Sequence, residues 1–224
     1  MLARPSTDDP QRALARRALR AGLSLAAKLS FGLGALCAGL FVLAQTDRTV
    51  ASASALDAFR EVQASALALT PDQTAWSAKR QADYRESLAE KFDAPPGVLE
   101  IPSLKLTVPI FSGTTELVLN RGIGWIEGTA MPGEEGNVGL AGHRDGYFRG
   151  LKDLKLGDTI DVQSVGRTLH YRVTELKIVE PTDVSVLDPT DEPSVTLVTC
   201  YPFYYVGNAP QRYIVRGTLD RSRT

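Results

Sequence analysis

The sequence predicts a mainly β domain, a closed barrel or a sandwich, carried behind an N-terminal apolar span and a helical stalk. Three observations predict it. From Val98 to Leu219, short β-type runs alternate with turn residues rich in Gly, Pro, Asn and Asp. No strand pattern alternates with a long helix and no repeat is present, which excludes a doubly wound α/β sheet. Ahead of the domain, Leu29–Ala44 (LSFGLGALCAGLFVLA) contains no charge.

Residues 1–28 form a basic segment, with Arg4, Arg12, Arg16, Arg17, Arg20 and Lys28 against Asp8 and Asp9. The uncharged run 29–44 is roughly 24 Å long as a helix, short of the ~30 Å hydrocarbon core. Beginning the span near residue 21 lengthens it to roughly 36 Å, with Lys28 reaching back to the interface. The basic flank belongs in the cytoplasm, which sends everything after Ala44 across the membrane. A cleaved signal peptide is the alternative, because ASASA at 51–55 offers small-residue cleavage sites. The long apolar run and the polar gap before Ala51 favour an uncleaved single-span anchor.

Residues 45–96 read as a helical stalk. Leu56, Phe59, Val62 and Ala66 follow helical spacing, and Tyr84, Leu88 and Phe92 repeat every four residues. Thr70-Pro71-Asp72-Gln73 predicts a helix start, with Thr70 as N-cap and Gln73 at the capping-box position. Such stripes dock on a neighbouring domain. Pro95-Pro96 ends the helical region.

The β domain spans 97–220, followed by a tail at 221–224. Its expected strands are 98–102, 106–111, 137–143, 159–165, 168–179, 194–200 and 211–219, with a short helix at 114–119. A net charge of −1 removes any global case for nucleic-acid binding. With 43% hydrophobic and 23% charged residues the chain is globular rather than disordered. Two cysteines make no disulfide framework, and no Cys-x-x-Cys pair is present.

Scarcity makes the chemistry tractable. Cys37 falls in the apolar span and reads as a small hydrophobe. Cys200 ends the run SVTLVTC before Tyr201-Pro202, and proline cannot continue a ladder, so its sulfur sits where a site can open. His143 closes another run, in GNVGLAGHRD, where small neighbours allow close approach. GNVGLAG is not a phosphate loop, since no Gly-Lys-Ser/Thr follows. His170 sits mid-strand and reads as structural or exposed. A thiol of ordinary pKa ~8.5 is only about 3% ionised at pH 7, so a nearby cation is useful. An oxyanion also needs positive charge or N–H donors. Arg212 and Arg216 are the candidates, four apart on one face of the last strand. Spacing alone does not choose between them. A metal site built from Cys200, His143 and Asp145 is weaker, because it lacks the local spacings of zinc sites.

The motifs GNVGLAGHRD, TLVTC and QRYIVR, in that order, resemble the signature strands of the sortases, a family of membrane-anchored cysteine transpeptidases. VLEIPSLKLTVPIFSGT and CYPFYYVGNAPQRYIVRG are most similar to the class D type. The resemblance implies a closed eight-stranded β-barrel with short helices, in which His143, Cys200 and Arg212 converge at one end. It selects Arg212 over Arg216. It also implies cleavage of an LPxTG-like sorting signal near the C-terminus of a surface protein. Cys200 would attack the Thr carbonyl, Arg212 would hold substrate and oxyanion, and His143 would protonate the departing amine. An amine acceptor of the envelope, a peptidoglycan precursor or a pilin lysine, would then resolve the thioacyl enzyme. Thr199 is expected to support the site from its flank, whereas Asp145 is not expected to act as a third member.

No cofactor is expected. The acidic loop 180–193, with Glu180, Asp183, Asp188, Asp191 and Glu192, reads as solvated rather than as a calcium site. The competing readings are a thiol hydrolase of the envelope and a non-catalytic membrane-tethered β domain. The L,D-transpeptidases place Gly immediately before their Cys, and Thr199 does not fit that pattern.

Overall fold

Alternation of side chains to opposite faces is what turns the β runs into a barrel. Leu99 and Ile101, Val108 and Ile110, Val138 and Leu140, Ile160 and Val162, and Val195 and Leu197 are each two apart and fully buried. With Leu169, Tyr171, Val173 and Val215 they fill one core, as the inward faces of a small barrel must. The computed structural model describes residues 33–34, 36–37, 56–205 and 207–223.

The strands are β1 (Gly97–Ile101), β2 (Leu106–Ser112), β3 (Ile123–Trp125), β4 (Asn137–Ala141), β5 (Thr159–Ser164), β6 (Arg167–Val179), β7 (Ser194–Tyr201) and β8 (Gln211–Leu219). They close in the order β1-β2-β3-β4-β7-β8-β6-β5. The β2–β3 and β4–β7 pairs are parallel and the others antiparallel, so the barrel is mixed. The parallel β4–β7 pair brings two distant stretches of chain side by side.

β3 is the strand that pattern reading misses. Three residues, Ile-Gly-Trp, carry no periodicity. It is specified instead by a close approach, since a Cβ on Gly124 would stand 2.2 Å from the Gly113 carbonyl oxygen. The short helix expected at 114–119 is α2 (Glu116–Arg121), capped by Thr115, whose side chain accepts from the Val118 N–H.

Packing divides the chain into Met1–Ala53 and Ser54–Thr224. The basic segment, most of the expected anchor and the ASASA site lie outside the described residues. Among the described residues no helix is long and apolar enough to cross a membrane.

Ahead of the barrel, residues 56–68 are helical, with Phe59 and Ala66 buried. The helix start expected at Thr70 is not there. Asp72 Oδ1 accepts from Thr74 N at 3.0 Å and from Thr74 Oγ1 at 2.7 Å, and this local turn competes with helix nucleation. The helix α1 begins later, at Ala78–Ser87, with Ser77 as its N-cap. It ends at Ser87, so Leu88 is exposed, while Phe92 packs on Phe111 with ring centroids 4.9 Å apart. A helix this polar is held by what it docks on. Tyr84 and Trp76 meet edge to face at 5.8 Å, and Trp76 meets Tyr147 at 5.1 Å.

Candidate active site

The histidine segment is held to the cysteine strand by hydrogen bonds beyond the end of the β4 ladder. Parallel pairing runs from Asn137↔Ser194 to Ala141↔Val198. One residue on, Gly142 N donates to Val198 O at 3.1 Å, and Thr199 Oγ1 donates to Gly142 O at 2.7 Å. His143 follows Gly142 directly and Cys200 follows Thr199 directly. The chain then turns sharply. His143 O accepts from Gly146 N at 3.1 Å and Phe148 N at 3.2 Å. Phe148 is fully buried beneath this turn. A Cβ on Gly142 would lie 2.7 Å from the Phe148 ring, so only glycine fits there.

On the other side of β7, antiparallel pairing sets Cys200 opposite Arg212, Thr196 opposite Arg216 and Val198 opposite Ile214. Directly opposed residues share a face, with Cβ atoms about 5 Å apart. The core residues Val195 and Leu197 point the other way, so Cys200 and both arginines lie on the outer face. The arginines differ in their partners. Arg216 Nη2 donates to Val186 O at 2.7 Å and Nε to Thr196 Oγ1 at 3.4 Å. Arg212 Nη1 donates to Gln211 O at 3.1 Å and Ala209 O at 3.4 Å. Arg216 thus ties down the β6–β7 loop, while Arg212 keeps the register position opposite Cys200.

Two further clasps shape this face. Asn137, 3% exposed, donates to Val186 O at 3.1 Å and Asp188 O at 3.0 Å, and accepts from Thr196 Oγ1 at 2.7 Å. It fastens the acidic 180–193 loop over the sheet. Arg144 donates to Pro202 O at 3.2 Å and to Tyr205 O and Gly207 O at 2.9 Å each. The residue after His143 therefore anchors the loop that joins Cys200 to Arg212.

His143 sits in a charged setting. Its ring is mostly buried, and Nε2 lies 3.4 Å from Glu116 Oε1 without a formed hydrogen bond. Burial lowers its pKa below 6.5, and the Arg80 guanidinium adds to that; Glu116, Asp145 and Asp83 oppose. The neutral imidazole is favoured. Asp145 turns to Arg80 Nε, 3.3 Å away. His170 Nδ1 pairs with Asp161 Oδ1 at 2.7 Å across β5 and β6, a structural use. Among the described residues no group of three or more His, Cys, Asp and Glu is arranged to hold a metal. In the acidic loop, Asp183 Oδ1 is taken up by Ser185 N and Oγ, and Glu180 Oε1 accepts from Gln211.

The Sortase domain profile matches residues 99–220, more than half of the chain. This chain belongs to the sortase family. It is 37% identical over 138 residues to Sortase D of Bacillus subtilis, covering 61% of this chain and 70% of that protein. Against Sortase A of Staphylococcus aureus it is 34% identical over 112 residues, 46% of this chain and 54% of that one. Among solved structures, a Clostridium perfringens Sortase D5 transpeptidase superposes with a TM-score of 0.53 at 28% identity. That superposition covers 76% of this chain and 99% of the other. The chain is accordingly a sortase cysteine transpeptidase.

Sequence reasoning missed several residues around the candidate site: Arg80, Glu116, Asn120, Asn137 and Arg144. Arg80 lies in a polar helix where a solvated face is the ordinary expectation. Asn137 carried one usable signal, a polar residue opening a strand of otherwise apolar and small residues.

Proposed function

We propose that this sortase is anchored by a single span at 29–44, extended back to about residue 21, with its catalytic domain outside the cytoplasm. Its substrate is a protein bearing a C-terminal LPxTG-like sorting signal. The Cys200 thiolate attacks the carbonyl carbon of the signal's Thr. Arg212 holds the substrate and the oxyanion that forms. The tetrahedral intermediate collapses with cleavage of the Thr–Gly C–N bond, and protonated His143 gives its proton to the leaving amine. A thioacyl enzyme remains. An amine of the envelope, on a peptidoglycan precursor or a pilin lysine, then attacks the thioester as it gives a proton to His143, and the sulfur leaves as the Cys200 thiolate.

The observation that carries this reading is the cross-strand pairing of Cys200 with Arg212. It is joined by the hydrogen-bonded step that ties the His143 segment to β7. Thr199 serves as a support, since its hydroxyl is spent on the Gly142 carbonyl. The test is cleavage of an LPxTG-type peptide by the wild type, Cys200→Ala and His143→Ala. Loss of cleavage in both variants is expected, and normal cleavage in both would sink the assignment. Trapping the acyl enzyme and resolving it with added amine or with water separates transfer from hydrolysis.

A further inference from the structure

Arg80 belongs to α1, outside the barrel, yet its side chain is only 10% exposed. Nη1 donates to Asn120 Oδ1 and, at 3.3 Å, to Glu116 Oε1, while Nε donates to Asp145 Oδ1 at 3.3 Å. Asp83 Oδ2 lies 3.9 Å from Nη1. A guanidinium fork of this kind fixes its acceptors in direction as well as distance. One atom is shared: Glu116 Oε1 faces Arg80 Nη1 at 3.3 Å and His143 Nε2 at 3.4 Å. The His143 Nε2 atom is buried and has no hydrogen-bond partner among the described residues, so this carboxylate is the group poised to receive it.

We propose that Arg80 and Glu116 are a positioning pair for His143, the guanidinium holding the Glu116 carboxylate against Nε2 so that the helix ahead of the barrel sets the ring's tautomer and charge. With Nε2–H turned to the carboxylate, Nδ1 is the nitrogen left to exchange a proton with substrate. The inference rests on the reading of His143 as general acid and base. The charged groups that act on the ring are Arg80 and Asp83 from α1, Glu116 from α2 and Asp145 from its own turn. Arg80 and Glu116 pull the imidazole in opposite directions, the guanidinium disfavouring its protonation and the carboxylate favouring it. Removing either charge therefore has an opposite and recognisable effect.

The measurement is a histidine NMR titration of the full-length chain. The protein has two histidines, so a His170→Asn variant leaves the His143 signal alone. Arg80→Gln is expected to raise the His143 titration midpoint, and Glu116→Gln to lower it, each by about half a pH unit or more. Arg80→Lys keeps the charge but not the fork, and should fall between wild type and Arg80→Gln. The acid limb of kcat/KM for LPxTG-type peptide cleavage should move with the same signs. Identical titrations in all variants would overturn the pairing, whatever happens to the rate. Opposite titration shifts with an unmoved acid limb would keep the pair and overturn instead the role of His143 in proton transfer. Should Arg80→Gln fail to fold, Glu116→Gln decides the matter alone, because that carboxylate is 65% exposed.

Discussion

Cys200 and Arg212 are directly opposed across the β7–β8 ladder, whereas Arg216, on the same strand and face, opposes Thr196 and bonds to the β6–β7 loop. Two arginines that look equivalent by spacing are thereby given different work. Arg212→Ala is expected to lower kcat/KM for a sorting-signal peptide by about 10²–10³, the usual loss for an oxyanion donor, with little change in melting temperature. Arg216→Ala should do the reverse, destabilising the fold by about 1–3 kcal/mol through the bonds it strands. Comparing peptide cleavage with thermal melting for the two variants checks the contrast; equal rate losses would refute it.

Thr199 spends its hydroxyl on the Gly142 carbonyl, one step before both His143 and Cys200. Thr199→Val keeps the shape but leaves a buried carbonyl short of a donor. A loss of about 1 kcal/mol in stability is expected. The kcat/KM should fall by about tenfold, as a slackened His143 segment would produce. Thr199→Ser, which restores the donor, should recover most of the rate.

Asn137 clasps the 180–193 loop through Val186 and Asp188. Asn137→Ala removes both donors and the acceptor for Thr196, and a loss of about 2–4 kcal/mol is expected for a buried network of this size. Because the loop covers the same outer face as Cys200, KM for the peptide should rise more than kcat falls. Urea unfolding together with steady-state kinetics tests both halves.

His143 carries a pH dependence of stability. Its pKa is lowered on folding, so below 6.5 the unfolded chain binds more protons than the folded one. Stability from this residue is complete above about pH 6.5 and declines as pH falls toward the folded-state value. Urea midpoints at pH 7.5 and 5.5 should differ more for wild type than for His143→Gln. An equal difference in both proteins would contradict it.

Tyr171 is fully buried in the barrel, its hydroxyl meets no hydrogen-bond partner among the described residues, and burial pushes its pKa up to about 12. Tyr171→Phe is expected to leave stability unchanged or raise it by about 1 kcal/mol. A clear drop in melting temperature would show that the hydroxyl is satisfied in solution.

What was legible in the sequence follows from short-range physics. Alternating apolar residues locate seven of the strands nearly to the residue, because a strand's period of two is written in its own side chains. Cys200, His143 and an arginine on the last strand stood out because each is rare or ends an apolar run. β3 was not legible, since its three residues are placed by Gly124 sliding under the Gly113 carbonyl. The expected start of helix at Thr70 failed because Asp72 caps a turn onto Thr74 instead.

By itself, then, the sequence determined the β-barrel class, the family and the residue types available for thiol chemistry, since all of these reside in local pattern and motif order. The motif resemblance also selected Arg212 over Arg216, but only the tertiary structure supplies the physical difference between them, because cross-strand register depends on how β7 meets β8. Only it decided that a polar helix outside the barrel brings a buried cation within reach of His143. Arg80 and His143, which meet the same Glu116 carboxylate, are 63 positions apart, and no periodicity in either segment records it.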